Sequence, residues 1–284
     1  MKAYDNTQII TFQSCPFKYY LKFIKGLKKQ SVDETNIDIL FGSQVHEFLE
    51  KYYLKEKINL DEHWSEFVDV AEQPAKSKAG GKHLCREYHK HYKGQDDNKE
   101  ILDLESVSEF KVRGFEFRVK RDGAFKERDN IFGLEHKTTG DIRYGYWKQF
   151  DVHSQITAQV YDVRRIHNRC SGILINVLGV VYLKRKSKIR DAGLNCNFGR
   201  EYVNRTQQEL STWEDNVEEW ITRIEQAKDA GRWPKADGGL ACSSYRGCSF
   251  KELCKVSSLE EIDEDIADVL YTVVDPYAYL NGRT

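Results

Sequence analysis

The chain of 284 residues lacks any uninterrupted apolar run long enough to cross a lipid bilayer. Its first residues also lack the apolar core and cleavage pattern of a secretory signal peptide. We therefore expect a soluble, cytoplasmic protein with no membrane partner. Hydrophobic residues still make up 40% of the chain, enough for a core, and the length suits one α/β domain with insertions or two smaller domains.

Two nucleotide-binding loops are also missing. The absence of a GxGxxG pattern argues against an oxidoreductase that combines a metal cluster with a flavin or nicotinamide. The absence of GxxxxGK[ST] excludes an ATP-driven motor from this chain.

The sequence has no excess of positive charge, since its net charge is −1. The charges are nevertheless segregated along the chain. One basic cluster comprises Lys18, Lys22, Lys25, Lys28 and Lys29, a second comprises Lys184, Arg185, Lys186, Lys188 and Arg190, and acids gather in residues 260–268. Because local patches set affinity for phosphate, nucleic-acid binding stays open, with a solvated surface as the alternative for each cluster.

Seven cysteines in a chain of this kind argue against a disulfide framework. Three follow one another as Cys242-x5-Cys248-x5-Cys254, and Cys15 lies near the other end of the chain. Four thiolates can bind either a [4Fe–4S] cluster or one Zn²⁺ ion, and free thiols are the third possibility. The other cysteines, Cys85, Cys170 and Cys196, are interpreted as free thiols.

Apolar periodicity predicts the secondary structure. We expect helices over residues 7–25 with a break at Pro16, 43–56 with Ser43 as its N-cap, 60–73, 83–93, 150–167 and 206–230. Residues 77–81 are expected to form a loop, residues 106–137 to include a hairpin, and residues 173–183 to form a buried strand.

Two strand-like runs over residues 115–125 and 131–139, joined by a polar turn, predict this β-hairpin. Asp122 lies near the end of the first run, and Glu135 and Lys137 lie on the second. Because alternate strand residues face the same side, Glu135 and Lys137 project together, with Asp122 within reach. Carboxylates and an ammonium on one face are costly unless they bind something, and a divalent cation would neutralise the carboxylates. The alternative is a surface ion pair.

Asp122 followed at hairpin distance by Glu135-x-Lys137 resembles the core of the PD-(D/E)XK nuclease superfamily. Three further segments resemble its RecB-like, iron–sulfur branch, which includes the CRISPR-adaptation exonucleases and the RecB and AddB nuclease domains. They are residues 14–21 with Cys15, residues 41–49 with a Gly42-x3-His46 pattern, and the late cysteine triplet. The segments occur in the family's order over residues 8–254.

This resemblance implies a restriction-endonuclease-like α/β core with a mixed central sheet flanked by helices. It implies a Mg²⁺ or Mn²⁺ site made by His46, Asp122, Glu135 and the backbone carbonyl of His136. Lys137 would orient or deprotonate the attacking water or hold the scissile phosphate, and Gln155 would complete the catalytic set.

The resemblance also implies contacts to DNA by Gln159 and Tyr161, with Lys184, Arg185 and Lys186 flanking the DNA path. Here the sequence departs from the family pattern, because Gln159 stands where a Tyr is usual. The resemblance favours a [4Fe–4S] cluster held by Cys15, Cys242, Cys248 and Cys254, a cysteine clasp that joins the two ends of the chain.

The sequence thus predicts one nuclease domain over residues 1–255, with a helical insertion at about 55–100 and an acidic appendage at 256–284. The leading hypothesis is a metal-dependent exonuclease acting on single-stranded DNA or DNA ends. The alternative is a catalytically idle iron–sulfur protein that binds DNA or a recombination partner. A helicase, recombination or CRISPR partner is compatible with either.

Overall fold

The structure, a computed structural model, describes residues 3–30, 37–70, 73–187, 190–236, 238–243 and 247–278. Its helices are α1 (Asn6–Ser14), α2 (Pro16–Tyr19), α3 (Ile37–Tyr53), α4 (Leu60–His63), α5 (Lys78–Tyr92), α6 (Ser154–His167), α7 (Gln207–Ala230), α8 (Leu240–Ser243), α9 (Lys251–Val256) and α10 (Glu264–Leu270). A π-helical turn covers Tyr20–Ile24, and 3-10 turns cover Pro74–Lys76 and Tyr146–Phe150. Among the described residues, no helix has both the length and the apolar character required to span a bilayer.

The strands are β1 (Leu27–Lys29), β2 (Lys99–Val112), β3 (Phe115–Glu127), β4 (Asn130–Thr139), β5 (Gly172–Leu183), β6 (Gly193–Val203) and β7 (Tyr271–Val273). The central sheet has the order β2-β3-β4-β5-β6. β3 and β4 form the expected antiparallel hairpin, β4 and β5 are parallel, and β5 and β6 are antiparallel. The helix α6 makes the crossover that a parallel β4–β5 pair requires. The predicted mixed sheet flanked by helices is confirmed.

The apolar run of β5 explains its central place, because a strand covered on both faces needs apolar residues on both. Ile173, Ile175 and Val177 belong to the apolar cluster that includes α6 residues. Leu178 and Val180 belong to a second cluster, built with α3 and α5. Helices therefore cover both sides of the sheet in this region.

The chain divides into two compact units. The first comprises Met1–Thr35, Ser108–Val119 and Ser211–Thr284, and the second comprises Asn36–Val107 and Lys120–Leu210. The predicted hairpin carboxylates and their neighbours all belong to the second unit. The four cysteines of the predicted clasp all belong to the first.

Within the first unit, Cys15 interrupts the predicted N-terminal helix and caps its continuation. Its sulfur accepts a hydrogen bond from the backbone N–H of Lys18, and Pro16 occupies the first helical position, where no N–H is needed. The described part of the C-terminal tail packs in the same unit: β7 pairs with β1, and Tyr271 stacks on Phe250. Lys25 and Lys29 of the early basic cluster pair with Glu264 and Glu252.

The start of α3 differs from the prediction. Ser43 lies inside this helix rather than at its N-cap, and His46 lies in its third turn rather than its first. The apolar stripe of Phe41, Val45 and Phe48 begins before Ser43 and is buried along its length. Helix formation therefore extends upstream of the polar residue that resembled a cap.

The prediction of a loop at residues 77–81 is also wrong, because α5 begins at Lys78. A side chain at Gly81 would lie 2.3 Å from the ring of Trp64, which is fully buried. At Gly80 it would lie 2.2 Å from the carbonyl oxygen of Ala75. The two glycines allow the helix to pack closely, and this packing outweighs their low helix propensity. The helix predicted over 60–73 is only the short α4.

Candidate active site

The β3–β4 hairpin brings Asp122 and Glu135 to neighbouring positions. Gly123 pairs with Leu134, so the two acids stand next to this pair on their strands. The backbone N–H of His136 donates a hydrogen bond of 2.6 Å to Oδ2 of Asp122. Both carboxylates are buried, with 9% and 3% of their residue surface exposed. The two acids predicted from the sequence therefore share one buried location.

Asp122 also faces α3. Its Oδ1 lies 3.4 Å from Nδ1 of His46. Burial alone would raise the pKa of Asp122, but His46 and the His136 N–H outweigh it and lower that pKa below its usual range. Asp122 is therefore ionised at neutral pH, as a metal ligand must be.

Glu135 is held by three donors. Gln155 Nε2 donates to its Oε1 at 3.0 Å, and Gln159 Nε2 donates to its Oε2 at 2.5 Å. The ammonium of Lys137 also donates to Oε1. Gln155 and Gln159 are one turn apart on α6, as predicted, and both contact the same carboxylate.

Burial shifts the pKa values of Glu135 and Lys137 in opposite directions, but the net shift of both is upward. It raises the pKa of Glu135, and the charge of Asp122 raises it further, despite the opposing effect of Lys137. Burial also disfavours the charged form of Lys137, but the carboxylate of Glu135 outweighs this and raises the pKa of Lys137. Lys137 is consequently an ammonium and a hydrogen-bond donor in this arrangement.

The ring of His136 has surroundings of its own. It stacks on Tyr53, and its Nδ1 accepts a hydrogen bond of 3.0 Å from the side-chain amide of Asn176. Burial lowers the pKa of His136 to about 3, so the ring is neutral. The resemblance implies that the backbone carbonyl of His136 is a metal ligand, and these contacts of the ring do not test that expectation.

A buried polar network continues from Asn176. Arg200 donates to Oδ1 of Asn176 at 3.1 Å and forms a two-pronged ion pair with Asp96 at 2.7 and 2.8 Å. The hydroxyls of Tyr53 and Tyr88 accept further bonds from Arg200. This network was not predicted, because it joins residues from distant parts of the sequence.

A third carboxylate, Glu105 of β2, was also missed. Ligand atoms of His46, Glu105 and Asp122 all lie within 4.8 Å of one another. One imidazole nitrogen and two carboxylates are a suitable donor set for Mn²⁺ or Mg²⁺, so the residues present fit a divalent cation. No sequence signal identifies Glu105, because its left-handed backbone departs from the alternation that a strand pattern predicts.

The residues predicted to contact DNA are in varied surroundings. Gln159 is buried, with 1% of its surface exposed, and Tyr161 packs against the apolar cluster of α6. Lys184, Arg185 and Lys186 are exposed after β5, and Lys188 lies outside the described residues. Arg190 pairs with Asp141 at 2.9 Å, which links the turn between β5 and β6 to the segment that follows β4.

The four clasp cysteines interact with one another in the first unit. Burial raises the pKa of Cys254, and Cys15, Cys248 and Cys242 raise it further, despite Lys235. The backbone N–H of Cys248 donates to the carbonyl of Cys242 at 3.0 Å. Among the described residues, no three of these four sulfurs lie within 4.8 Å of one another.

The fold and sequence can be compared with those of known proteins. A protein from Eubacterium rectale that carries a provisional exonuclease designation has a crystal structure similar to this one, with a TM-score of 0.50 and 14% sequence identity over 87% of this chain and 89% of that chain. The protein SSO0001 matches 76% of this chain and 85% of its own at 14% identity, with a TM-score of only 0.27. At these identities the first likeness concerns the fold alone, and the second is too low to support an argument.

No curated protein sequence matches this chain significantly. The family model of the PD-(D/E)XK nuclease superfamily matches residues 6–255, which include the hairpin and the residues around it. The chain therefore belongs to the PD-(D/E)XK nuclease superfamily.

Proposed function

We propose that this protein is a metal-dependent deoxyribonuclease that hydrolyses phosphodiester bonds. The observation that carries the proposal is the convergence of half-buried His46 and Lys137 on the buried carboxylates Asp122 and Glu135 of the β3–β4 hairpin. Two carboxylates, an imidazole and an ammonium supply the metal ligands and the cationic donor that this chemistry uses.

The cation would be held by His46, Asp122 and Glu135, with the carbonyl of His136 as a further oxygen ligand. When bound, a divalent cation supplies electrostatic stabilisation of the phosphate charge and a more acidic water. The imidazole nitrogen of His46 suits Mn²⁺ better than Mg²⁺, which prefers oxygen ligands. Asp122 would supply an ionised carboxylate and His46 a neutral imidazole nitrogen, the forms that either ion requires.

Lys137 would orient the attacking water or hold a phosphate oxygen. Its raised pKa supports these donor roles over the role of a base, because the carboxylates of Glu135 and Asp122 favour the charged form of Lys137. Gln155 and Gln159 would act through Glu135, since their amides fix both of its oxygens. Gln155 and Lys137 bond the same oxygen, so α6 and β4 position this carboxylate jointly.

The substrate would be single-stranded DNA or the ends of DNA. Lys184, Arg185 and Lys186 form an exposed basic group suited to contacts with phosphates. The Arg190–Asp141 pair supports a path toward the active site, because Asp141 follows the strand that carries Lys137. Tyr161 remains a proposed contact to DNA, whereas Gln159, which is buried, would act through Glu135. A separate helicase or a recombination or CRISPR partner is compatible with this role.

Membership of the RecB-like, iron–sulfur branch is the finer part of the proposal. Cys15, Cys242, Cys248 and Cys254 influence one another electrostatically and would bind one [4Fe–4S] cluster. Such a cluster would tie the two ends of the chain together and stabilise the first unit, as closing a long loop does.

The test is to incubate the purified protein with end-labelled single- and double-stranded DNA in Mn²⁺, Mg²⁺ or EDTA. We expect shortening of labelled DNA in Mn²⁺, faster than in Mg²⁺, and no cleavage in EDTA. Loss of the label from the end would indicate an exonuclease, and internal fragments an endonuclease. Absence of cleavage in both metals, or cleavage that persists in EDTA, would contradict the proposal.

A further inference from the structure

Glu105 has an unusual conformation for a residue inside a strand. Its φ is +46°, in the left-handed region that residues other than Gly, Asn and Asp seldom adopt. It lies in the middle of β2, which extends from Lys99 to Val112. A backbone of this kind interrupts the regular alternation of side chains and redirects one of them.

The redirected side chain lies close to the active site. The carboxylate of Glu105 and the donor atoms of His46 and Asp122 all lie within 4.8 Å of one another. Lys120, two positions before Asp122 on β3, forms an ion pair with Glu105, and its Nζ lies 3.0 Å from Oε2 of Glu105. Lys120 thereby anchors Glu105 to the strand that carries Asp122.

Glu135 differs from Glu105 in what occupies its oxygens. Gln155 and Lys137 bond its Oε1, and Gln159 bonds its Oε2. The carboxylate of Glu105 lies in one group with the donor atoms of Asp122 and His46. A cation placed beside Asp122 and His46 would therefore meet the carboxylate of Glu105.

We propose that Glu105 is a direct ligand of the divalent cation, together with His46 and Asp122. The inference rests on the proposed function in that the cation is the one the nuclease site would use. It assigns a carboxylate from β2 to the site, in addition to those of the hairpin. Glu135, whose oxygens accept the α6 amides, stays a proposed ligand of the same site.

The test is Mn²⁺ binding to the full chain without DNA, measured by isothermal titration calorimetry and by the EPR signal of free Mn²⁺. The variants are Glu105→Gln and Glu105→Asn, the second because Asn tolerates a left-handed backbone. The matched control is Glu100→Gln, which removes the same charge from an exposed position on the same strand. Circular dichroism and thermal unfolding in EDTA establish that each variant is folded.

We expect both Glu105 variants to weaken Mn²⁺ binding about tenfold or more, the usual scale for losing a ligand or its support, and Glu100→Gln to change it less than about twofold. Binding within twofold of wild type in both folded Glu105 variants, with loss in Asp122→Asn, would overturn the inference. That result would leave the nuclease proposal intact if the wild type cuts DNA. If the Glu105 variants lose Mn²⁺ binding and the wild type cuts no DNA, the assignment of Glu105 as a ligand is supported and the nuclease proposal is rejected.

Discussion

Gln159 Nε2 lies 2.5 Å from Oε2 of Glu135, so an uncharged amide of α6 fixes a buried carboxylate of β4. The same amide nitrogen lies 3.4 Å from the carbonyl oxygen of Lys120 on β3. Gln159 thus connects three elements of the candidate active site. Its hydrogen bond also lowers the pKa of Glu135, against the larger effect of burial.

Replacing Gln159 with Leu should reduce cleavage by about 10- to 100-fold, the range observed when support of a site's ligand is removed. Without the amide, the pKa of Glu135 rises further, so we expect the acidic limb of the pH–rate profile to move to higher pH. The control is Gln149→Leu at an exposed position. Wild-type activity and an unmoved acidic limb in folded Gln159→Leu would show that this contact has no functional role.

The ion pair between Arg200 and Asp96 should stabilise the second unit. Both side chains are largely buried, at 14% and 8% exposure. Asp96 keeps Lys99 as an ionic partner at 2.9 Å, so Arg200→Met should lower the free energy of unfolding by about 2 kcal/mol at pH 7, less than the ~3–5 kcal/mol of a fully unpaired buried charge. Lys186→Met, which breaks the exposed pair with Asp191, should cost less than about 1 kcal/mol. Urea unfolding measures both.

The same ion pair predicts how the free energy of unfolding changes with pH. Burial raises the pKa of Asp96, but Arg200 and Lys99 outweigh it, so its pKa in the folded protein is lower than the ordinary 3.8. A carboxyl with a lowered folded pKa stabilises the protein above its unfolded pKa and loses this contribution as pH falls below it. The stability difference between wild type and Arg200→Met should therefore narrow below about pH 4. A difference that stays constant down to pH 2.5 would exclude this linkage.

Neutralising the exposed basic group should flatten the salt dependence of DNA binding. With Lys184, Arg185 and Lys186 all changed to Gln, fewer counterions are released, and the slope of log K against log salt should fall by up to ~2 for single-stranded DNA. The control carries three exposed lysines changed to Gln elsewhere in the second unit, Lys55, Lys90 and Lys93. Equal slopes for the two triple variants would identify the basic group as an ordinary solvated surface.

The cysteine proposal predicts iron in protein purified without oxygen. The wild type should be brown, with broad absorbance near ~400 nm, and Cys15→Ala should lose colour, iron and thermal stability together. Cys196→Ser is the control, since Cys196 belongs to the second unit and is not one of the four cysteines predicted to bind the cluster. One equivalent of zinc without iron would overturn the cluster assignment and leave the nuclease proposal standing.

Local sequence patterns were sufficient for much of the fold. The alternation around Asp122 and Glu135 predicted the β3–β4 hairpin, and helical spacing placed Gln155 and Gln159 on one face of α6. The apolar run over residues 173–183 predicted the buried strand β5. In each case neighbouring residues determine the outcome, because strand and helix periodicity are properties of short segments.

The features that were missed depend on contacts between distant segments. The helix α5 includes Gly80 and Gly81, since Trp64 and Ala75 pack so closely against it that a side chain at either position would not fit. Arg200 reaches Asp96 across more than a hundred residues. Glu105 joins the site through a left-handed backbone conformation, and a Glu residue in the sequence does not indicate such a conformation. Tertiary packing decided these positions, and local propensity carries no information about it.

The most direct measurement compares cleavage rates of Asp122→Asn, Glu135→Gln and Lys137→Met on end-labelled single-stranded DNA in Mn²⁺, with Glu100→Gln as the control. Each of the three substitutions keeps the approximate size of its side chain and removes one charge from the candidate site. If these groups act together on the phosphodiester, each variant should lose about 100-fold or more in rate while it remains folded and binds DNA. Cleavage near the wild-type rate by any one of the three would contradict the assignment of this hairpin as the active site.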